Sequence, residues 1–329
     1  MPAARLVARP RKKKRRRHPA ALLQTRPVYT TKLGAAFVGD AQDLLKRLPA
    51  RSVSAIVTSP PYALHFKKSY GNPDQAAYVD WFLGFAPEFR RILRPHGSLV
   101  LEIGGAWNPG QPTRSVYHFD LLVRLVKESG FHLAEEFYWF NSARMPSPAE
   151  WVNVQRIRVK DAVTPIWWLS PSPRPTASNR RVLKPYSEDM LRLLKTGYNH
   201  GPRPSGHTAK KFQRDNGGAI PPNLIAVAHT SSNDGYQDYC RERGVAAHPA
   251  RFPWQIPDFF VKFVTRKGDL VLDPFSGSNM TGFIAEKLGR RWLAFDRDPA
   301  YVRASVGRFL TDEVMAPSVR RGPRIASRS

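Results

Sequence analysis

Short apolar stretches that alternate with helical segments constrain this chain more than any other feature. Val53–Thr58 (VSAIVT) is the clearest of them. It is β-branched and apolar on both sides of the chain, as a strand covered on both faces must be. Ala35–Gly39, Ser98–Ile103, Phe131–Phe140, Ala162–Leu169, Asp269–Phe275 and Arg291–Asp296 are the other strand candidates. Between them, Asp43–Leu48, Tyr78–Leu93, Phe119–Glu128, Pro257–Thr265, Gly282–Leu288 and Pro299–Phe309 have helical spacing or helix-start signals. The alternation predicts an α/β fold with a mostly parallel sheet. Pro165 cannot donate to a ladder, which assigns Ala162–Leu169 to a strand end or a sheet edge.

Charge says what such a sheet would meet. The 329 residues carry 52 Lys+Arg against 26 Asp+Glu, a formal net charge of +26. Residues 1–18 hold nine bases and no acid, and residues 319–329 hold four arginines and no acid. The remainder still carries +13, from 39 bases against 26 acids. Such a surface suits a polyanion, above all nucleic acid, whose phosphates are neutralised without reading sequence. The run Arg11–Arg17 repels itself, so residues 1–25 are expected to form a disordered basic arm.

No apolar run approaches the ~18–20 residues of a membrane span, and the N-terminus lacks an apolar signal core. The chain is therefore expected to be soluble and cytoplasmic, and nucleoid-associated if DNA is its partner. A single cysteine, Cys240, excludes a disulfide framework. His200, His207, His229 and His248 lack metal-ligand spacing, so no metal is expected.

Residues 170–252 differ from the rest. They are rich in Pro, Gly, Asn and Ser, weakly periodic, and hold 13 Lys/Arg against six Asp/Glu. Disorder is one reading. A basic, loop-built recognition region is the other, with Tyr186, Tyr198, Phe212 and Tyr236 as its aromatics. Arg174, Arg180, Arg181, Lys184 and Arg203 are its candidates for phosphate or base-edge contacts.

Two constellations carry chemistry. Asp273-Pro274-Phe275-Ser276-Gly277-Ser278 follows one strand, and Asp296 ends the next. A strand, a tight Gly/Ser turn and a helix make a nucleotide-type cradle, and an acid about 20 residues on can accept from ribose hydroxyls. The dinucleotide fingerprint GxGxxG is absent, which disfavours a nicotinamide-dependent dehydrogenase. The second is Thr58-Ser59-Pro60-Pro61-Tyr62, directly after the most apolar strand. Two prolines remove donors and leave carbonyls free. A hydroxyl, a rigid carbonyl and an aromatic ring together suit a planar base with an exocyclic amine.

In this order the motifs resemble those of the SAM-dependent amino-methyltransferases of DNA, in the permuted arrangement of the β group. The resemblance covers residues 33–310. Val38-Gly39-Asp40 resembles the motif whose acid lies near the cofactor adenine, and Thr58–Tyr62 the catalytic SPPY motif. His248-Pro249-Ala250-Arg251-Phe252-Pro253 resembles the segment leading into the cofactor half. Trp139-Phe140-Asn141 is a looser match to the aromatic base-pocket segment. Asn279-Met280 departs from the usual Gly-Thr after Ser278, which would alter packing near the methionine end of the cofactor.

The resemblance implies a Rossmann-like methyltransferase sheet of seven strands, permuted, with an inserted target-recognition region. It implies a catalytic half at 26–169, the recognition region at 170–247, a SAM-binding half at 248–312 and a basic tail at 313–329. The implied cofactor is S-adenosyl-L-methionine, held by Asp40, Thr58, Phe252, Asp273, Pro274, Phe275, Ser276, Gly277, Ser278 and Asp296. The implied catalytic residues are Ser59, Pro60, Pro61 and Tyr62. The implied partners are double-stranded DNA and a cognate restriction endonuclease, with the chain a monomer or homodimer and no membrane involved.

Carbon-5 methylation of cytosine needs a thiol nucleophile, and Cys240 lacks a preceding proline and lies in the irregular region. An exocyclic nitrogen remains. In the family, Ser at the first motif position accompanies N4 of cytosine, whereas Asp or Asn accompanies N6 of adenine. Ser59 therefore points to cytosine N4. Adenine N6 methylation on the same fold is the alternative, and a catalytically decayed DNA-binding protein is a further one.

Overall fold

The computed structural model describes residues 17–63, 75–197, 214–229 and 234–310. Its strands are β1 (Tyr29–Thr30), β2 (Gly34–Val38), β3 (Val53–Thr58), β4 (Leu93–Glu102), β5 (His132–Phe140), β6 (Val163–Ser170), β7 (Leu224–Ala226), β8 (Leu270–Asp273) and β9 (Arg291–Asp296). They form one sheet in the order β1-β2-β9-β8-β3-β4-β6-β5-β7. The seven expected strands are the middle of this sheet. The other two, β1 and β7, are short additions at its edges. The run from β2 to β4 is parallel, and β6 is antiparallel to both its neighbours.

Every residue of β3 is buried, because helices cover both faces of the sheet. On one face lie α1 (Ala41–Arg47), α2 (Tyr78–Leu83), α3 (Ala86–Ile92) and α4 (Tyr117–Lys127). Their Leu44, Phe82, Phe89 and Leu121 pack with Phe37, Ile56, Leu99 and Leu293 of the sheet. The remaining helices are α5 (Glu188–Thr196), α6 (Gly235–Glu242), α7 (Gln255–Val264), α8 (Met280–Lys287), α9 (Pro299–Ser305) and α10 (Gly307–Leu310). Of these, α7 and α8 cover the other face, where Phe260, Val261 and Ala285 meet Ala55, Val57, Val271 and Trp292. Alternation along β9 divides its side chains: Leu293 and Phe295 join the first core, Trp292 and Ala294 the second.

The pairing of β3 with β8, and of β2 with β9, merges the catalytic and cofactor halves into one sheet. They are consecutive in sequence and interleaved in space. The intervening region also contributes: β7 extends the edge beside β5, and α6 packs Tyr236 and Cys240 against Ala304.

Several expectations are corrected. The helix expected over 78–93 divides into α2 and α3 around Gly84, and Pro87 sits in the first turn of α3, where its missing N–H is not needed. Arg94–Gly97 follows the end of α3 directly and opens β4. Pro165 lies in an internal strand, between β4 and β5. Its carbonyl accepts from Ile103 N at 3.3 Å, one step past the end of β4, so the donor it lacks is missing where that ladder finishes. Within the segment expected to be an arm over 1–25, a short turn of helix over Pro19–Leu22 anchors buried Leu23 in the core. Residues 1–16, the 313–329 tail, Tyr198, His200, Arg203, His207 and Phe212 lie outside the described residues.

The recognition candidates move furthest. Tyr236 is a core residue whose hydroxyl accepts from His248 N at 3.0 Å. Arg174 and Arg181 belong to a segment that crosses the amino-terminal side of the sheet. Thr176 N donates to His96 O and Ser178 N to Phe263 O, each at 3.0 Å. Arg181 Nη2 also donates to Phe263 O. His96 stands six residues before Glu102 along β4, about 20 Å at ~3.3 Å per residue, so this segment lies at the opposite pole from the strands' carboxyl ends. Lys184 follows in a bridge with Ala219.

Candidate functional site

At the carboxyl ends of β2, β3, β4, β8 and β9 the sheet opens into a cavity of about 380 Å³. Open α/β sheets place their ligands at these strand ends. Asp40, Ser59, Pro60, Pro61, Tyr62, Phe252, Asp273, Pro274, Phe275, Ser276, Gly277, Ser278 and Asp296 all line it. Of the residues implied to bind the cofactor or to act in catalysis, only Thr58 does not. It is buried beneath the cavity floor, and its Oγ1 donates to Asp273 Oδ1 at 2.6 Å.

The first end of the cavity is made chiefly of backbone. Asp296 accepts from Gly277 N at 2.8 Å and from Asp298 N at 3.0 Å, so its carboxylate closes the loop on itself. Gly277 has φ +48°, and a Cβ there would meet the His248 imidazole at 3.0 Å. Asp273 also accepts from Phe275 N, and burial pushes its carboxyl up to about 6. Asp40 caps α1 by accepting from Gln42 N at 2.8 Å. Trp81 and Phe85 stand against Phe275, with centroids 5.9 and 5.2 Å away. Aromatic faces beside a carboxylate and a glycine turn suit a purine nucleoside, and the cavity has the volume for one.

Asn279 does not line this end. It caps α8 by accepting from Gly282 N at 3.1 Å, and its Nδ2 donates to Tyr29 OH. The departure expected to touch the cofactor therefore falls, at 279, on the far side of the loop, and only Met280 reaches the cavity. Arg308, fully buried, fastens the same loop from behind. It donates to Ser278 O at 2.7 Å and pairs with Asp234 at 3.1 Å.

The second end is made of side chains. Ser59 Oγ donates to Glu102 Oε2 at 2.5 Å, and Tyr62 OH donates to Glu102 Oε1. Glu102 is 1% exposed at the end of β4. Burial raises its carboxyl above the ordinary range, and the two hydroxyl donors oppose that rise. Burial, and the charge of Glu102, keep the Tyr62 phenol protonated. Gly104 lies so close to the Tyr62 ring that a Cβ would overlap it, which sets the ring flat against the backbone. Among the described residues no protein donor occupies the Pro60 carbonyl.

Glu102, Arg144 and His229 line the cavity and were not picked as site residues from the sequence. Glu102 had a signal, a lone acid closing an otherwise apolar strand. Arg144 follows the loosely matched Trp139-Phe140-Asn141 by three residues, and Trp139 and Asn141 line the same wall. Cys240 lies outside the cavity, in α6, and burial pushes its thiol up.

A model of the DNA methylase family matches residues 53–307. The Type II methyltransferase M.PvuII of Proteus hauseri is 48% identical over 293 residues, which cover 88% of this chain and 87% of that one. The solved PvuII DNA methyltransferase, described as cytosine-N4-specific, superposes with a TM-score of 0.73 at 43% identity, covering 88% and 91% of the two chains. A Thermus thermophilus protein solved in complex with S-adenosyl-L-methionine is 22% identical, with a TM-score of 0.53 over 83% and 92% of the chains, and shares the fold.

Proposed function

The chain belongs to the DNA methylase family, and from that premise we propose that it transfers a methyl group from S-adenosyl-L-methionine to N4 of a cytosine flipped out of duplex DNA. The observation that carries this reading is the direction of the Ser59 hydrogen bond. Ser59 Oγ donates its hydrogen bond to Glu102, which leaves the oxygen an acceptor on the cavity wall. An exocyclic amine is a donor, and its duplex position is inaccessible to a side chain in the stack.

Asp40, Phe252, Gly277 and Asp296 would hold the cofactor in the backbone-built end, with Asp273 beneath the loop. When bound, the cofactor supplies an electrophilic methyl on a sulfonium. The rest is alignment and electrostatics by the chain's own residues. Ser59 Oγ and the Pro60 carbonyl accept the two amine hydrogens, which localises the nitrogen lone pair. Tyr62, pinned by Glu102 and Gly104, offers its ring to the base. The proton shed by the amine passes to Ser59 Oγ as the Ser59 proton passes to Glu102 Oε2. Burial of Glu102 favours that last step by raising its affinity for a proton.

The Type II names of the relatives support a paired restriction endonuclease with the same site. That partnership, a monomeric or homodimeric state, and residence with the nucleoid are parts of the proposal. No described helix is long and apolar enough to cross a membrane. Methylation of genomic DNA, then nucleoside mass spectrometry and modification-sensitive sequencing, tests the reading. N4-methylcytosine at one defined sequence is expected. N6-methyladenine as the product would overturn it.

A further inference from the structure

The cavity lined by Ser59, Pro60 and Glu102 is also lined by residues at and just past the end of β5. Asn141, 8% exposed, organises them. Its Oδ1 accepts from Ala143 N at 3.2 Å and from His229 N at 3.0 Å, and its carbonyl accepts from Arg144 N at 3.1 Å. This tight turn returns Arg144 over the cavity. One guanidinium nitrogen, Nη1, is fastened to Thr164 Oγ1 at 3.1 Å, and Thr164 is itself 2% exposed in β6. Among the described residues, Nε and Nη2 have no protein acceptor. The charge of Arg144 opposes in part the rise that burial gives the Glu102 and Tyr62 groups, yet Arg144 forms no ion pair with Glu102. Both groups line the cavity in which the base would lie.

With its amine on Ser59 and Pro60, cytosine has two groups left on its pairing edge, N3 and O2, and both are acceptors. Adenine in the same pose offers N1 and a C2–H. A guanidinium fastened at Nη1, with Nε and Nη2 as donors, matches both acceptors of the first edge and finds only one acceptor, N1, on the second. We infer that Arg144 is the base-reading residue of this site, donating to O2 and N3 of the flipped base and so selecting cytosine over adenine. The inference rests on the cytosine-N4 reading and adds to it the group that distinguishes the ring. A site built to donate a hydrogen bond discriminates strongly against a substrate that lacks the acceptor.

The test uses the full-length enzyme and duplexes carrying its site, established by sequencing the methylated product. In one duplex the target is cytosine. In another it is the 2-aminopyridine C-deoxynucleoside, which keeps the amine and ring nitrogen and replaces the C2 carbonyl with C–H. In the wild type, single-turnover methylation of the second should be slower by about 10- to 100-fold, as for loss of a hydrogen bond to a charged donor. Arg144→Met should be slowed by a similar factor on cytosine and show little further loss on the analogue. Arg144→Lys should recover part of the difference. Cofactor binding and the urea midpoint of each variant report its folding, and Arg144→Lys carries the test alone if Arg144→Met does not fold.

Equal wild-type rates on the two duplexes would overturn the inference. So would full sensitivity to O2 in Arg144→Met, above all if the variant's pH profile moved while that sensitivity stayed. Arg144 would then act on Glu102 and not on the base. A cytosine product with either result leaves the cytosine-N4 reading standing, and an adenine product removes both.

Discussion

At the cofactor end of the cavity, Asp296 and Asp273 accept from backbone N–H groups close to the Gly277 turn. At the base end, Ser59 and Tyr62 are held by Glu102, from 43 and 40 residues away in the chain. The first arrangement forms wherever a strand, a glycine turn and a helix follow one another. The second exists only when β3 and β4 lie side by side, and its energetics are those of a buried carboxylate. Backbone donors cost nothing to reorganise, and a buried carboxylate with two hydroxyl partners is sensitive to every change in its surroundings. The cofactor end should therefore tolerate substitution of single side chains better than the base end.

The largest effect should come from Ser59→Ala. Loss of the acceptor should reduce methyl transfer on the order of 100-fold or more, comparable to removing one preorganised transition-state hydrogen bond. Equilibrium cofactor binding should barely change. Unchanged turnover would sink the assignment of Ser59. Glu102→Gln comes next, because an amide cannot accept from both hydroxyls on its two heads. Turnover should fall at least tenfold. The wild type needs the Glu102 carboxylate, whose pKa is raised, so activity should decline on acidification at a pH above the ordinary carboxylate range. The acid limb of the single-turnover pH profile should move or vanish in the variant.

On the other side of the comparison, Gly277→Ala tests the turn. A side chain at φ +48° against His248 should cost about 1–2 kcal/mol and weaken cofactor binding roughly tenfold. Isothermal titration measures it, and methylation at saturating cofactor should be close to normal. Thr58→Val removes a donor to buried Asp273 and should destabilise the fold by about 1–2 kcal/mol. Because Asp273 is pushed up to about 6, its contribution to stability is full below the ordinary carboxylate range and is lost as pH rises through about 6. The Thr58→Val defect should thus be larger in urea unfolding at pH 8 than at pH 5. The smallest effect belongs to Arg174→Gln with Arg180→Gln. These exposed charges sit in the segment across the amino-terminal pole, so the methylated sequence should not change. A shifted site in sequencing of the product would place that pole on the recognised DNA.

Strand positions were partly legible because fully buried strands leave apolar runs, and Val53–Thr58 appears with its predicted bounds. The Asp273–Ser278 turn, Asp296 and Ser59–Tyr62 were legible for the same local reason: each is a short segment whose conformation follows from its own residues. Glu102 was visible as an oddity and unassigned, since nothing local says which hydroxyls a buried acid will meet. Tyr236 misled because aromatic composition does not report which core a segment reaches, and the pole that Arg174 occupies was likewise not legible in its charge.

Sequence alone determined a parallel α/β sheet, a glycine-turn cradle and a Ser-Pro-Pro-Tyr segment, since these depend on periodicity, backbone freedom and prolines. Tertiary structure decided that β3 lies between β4 and β8, and so that Ser59, Glu102 and Arg144 share one cavity with Gly277. The reason is physical. Hydrogen-bond propensity and helical period are properties of neighbours in the chain. The burial of Glu102 and the seating of Arg144 on Thr164 are properties of neighbours in space.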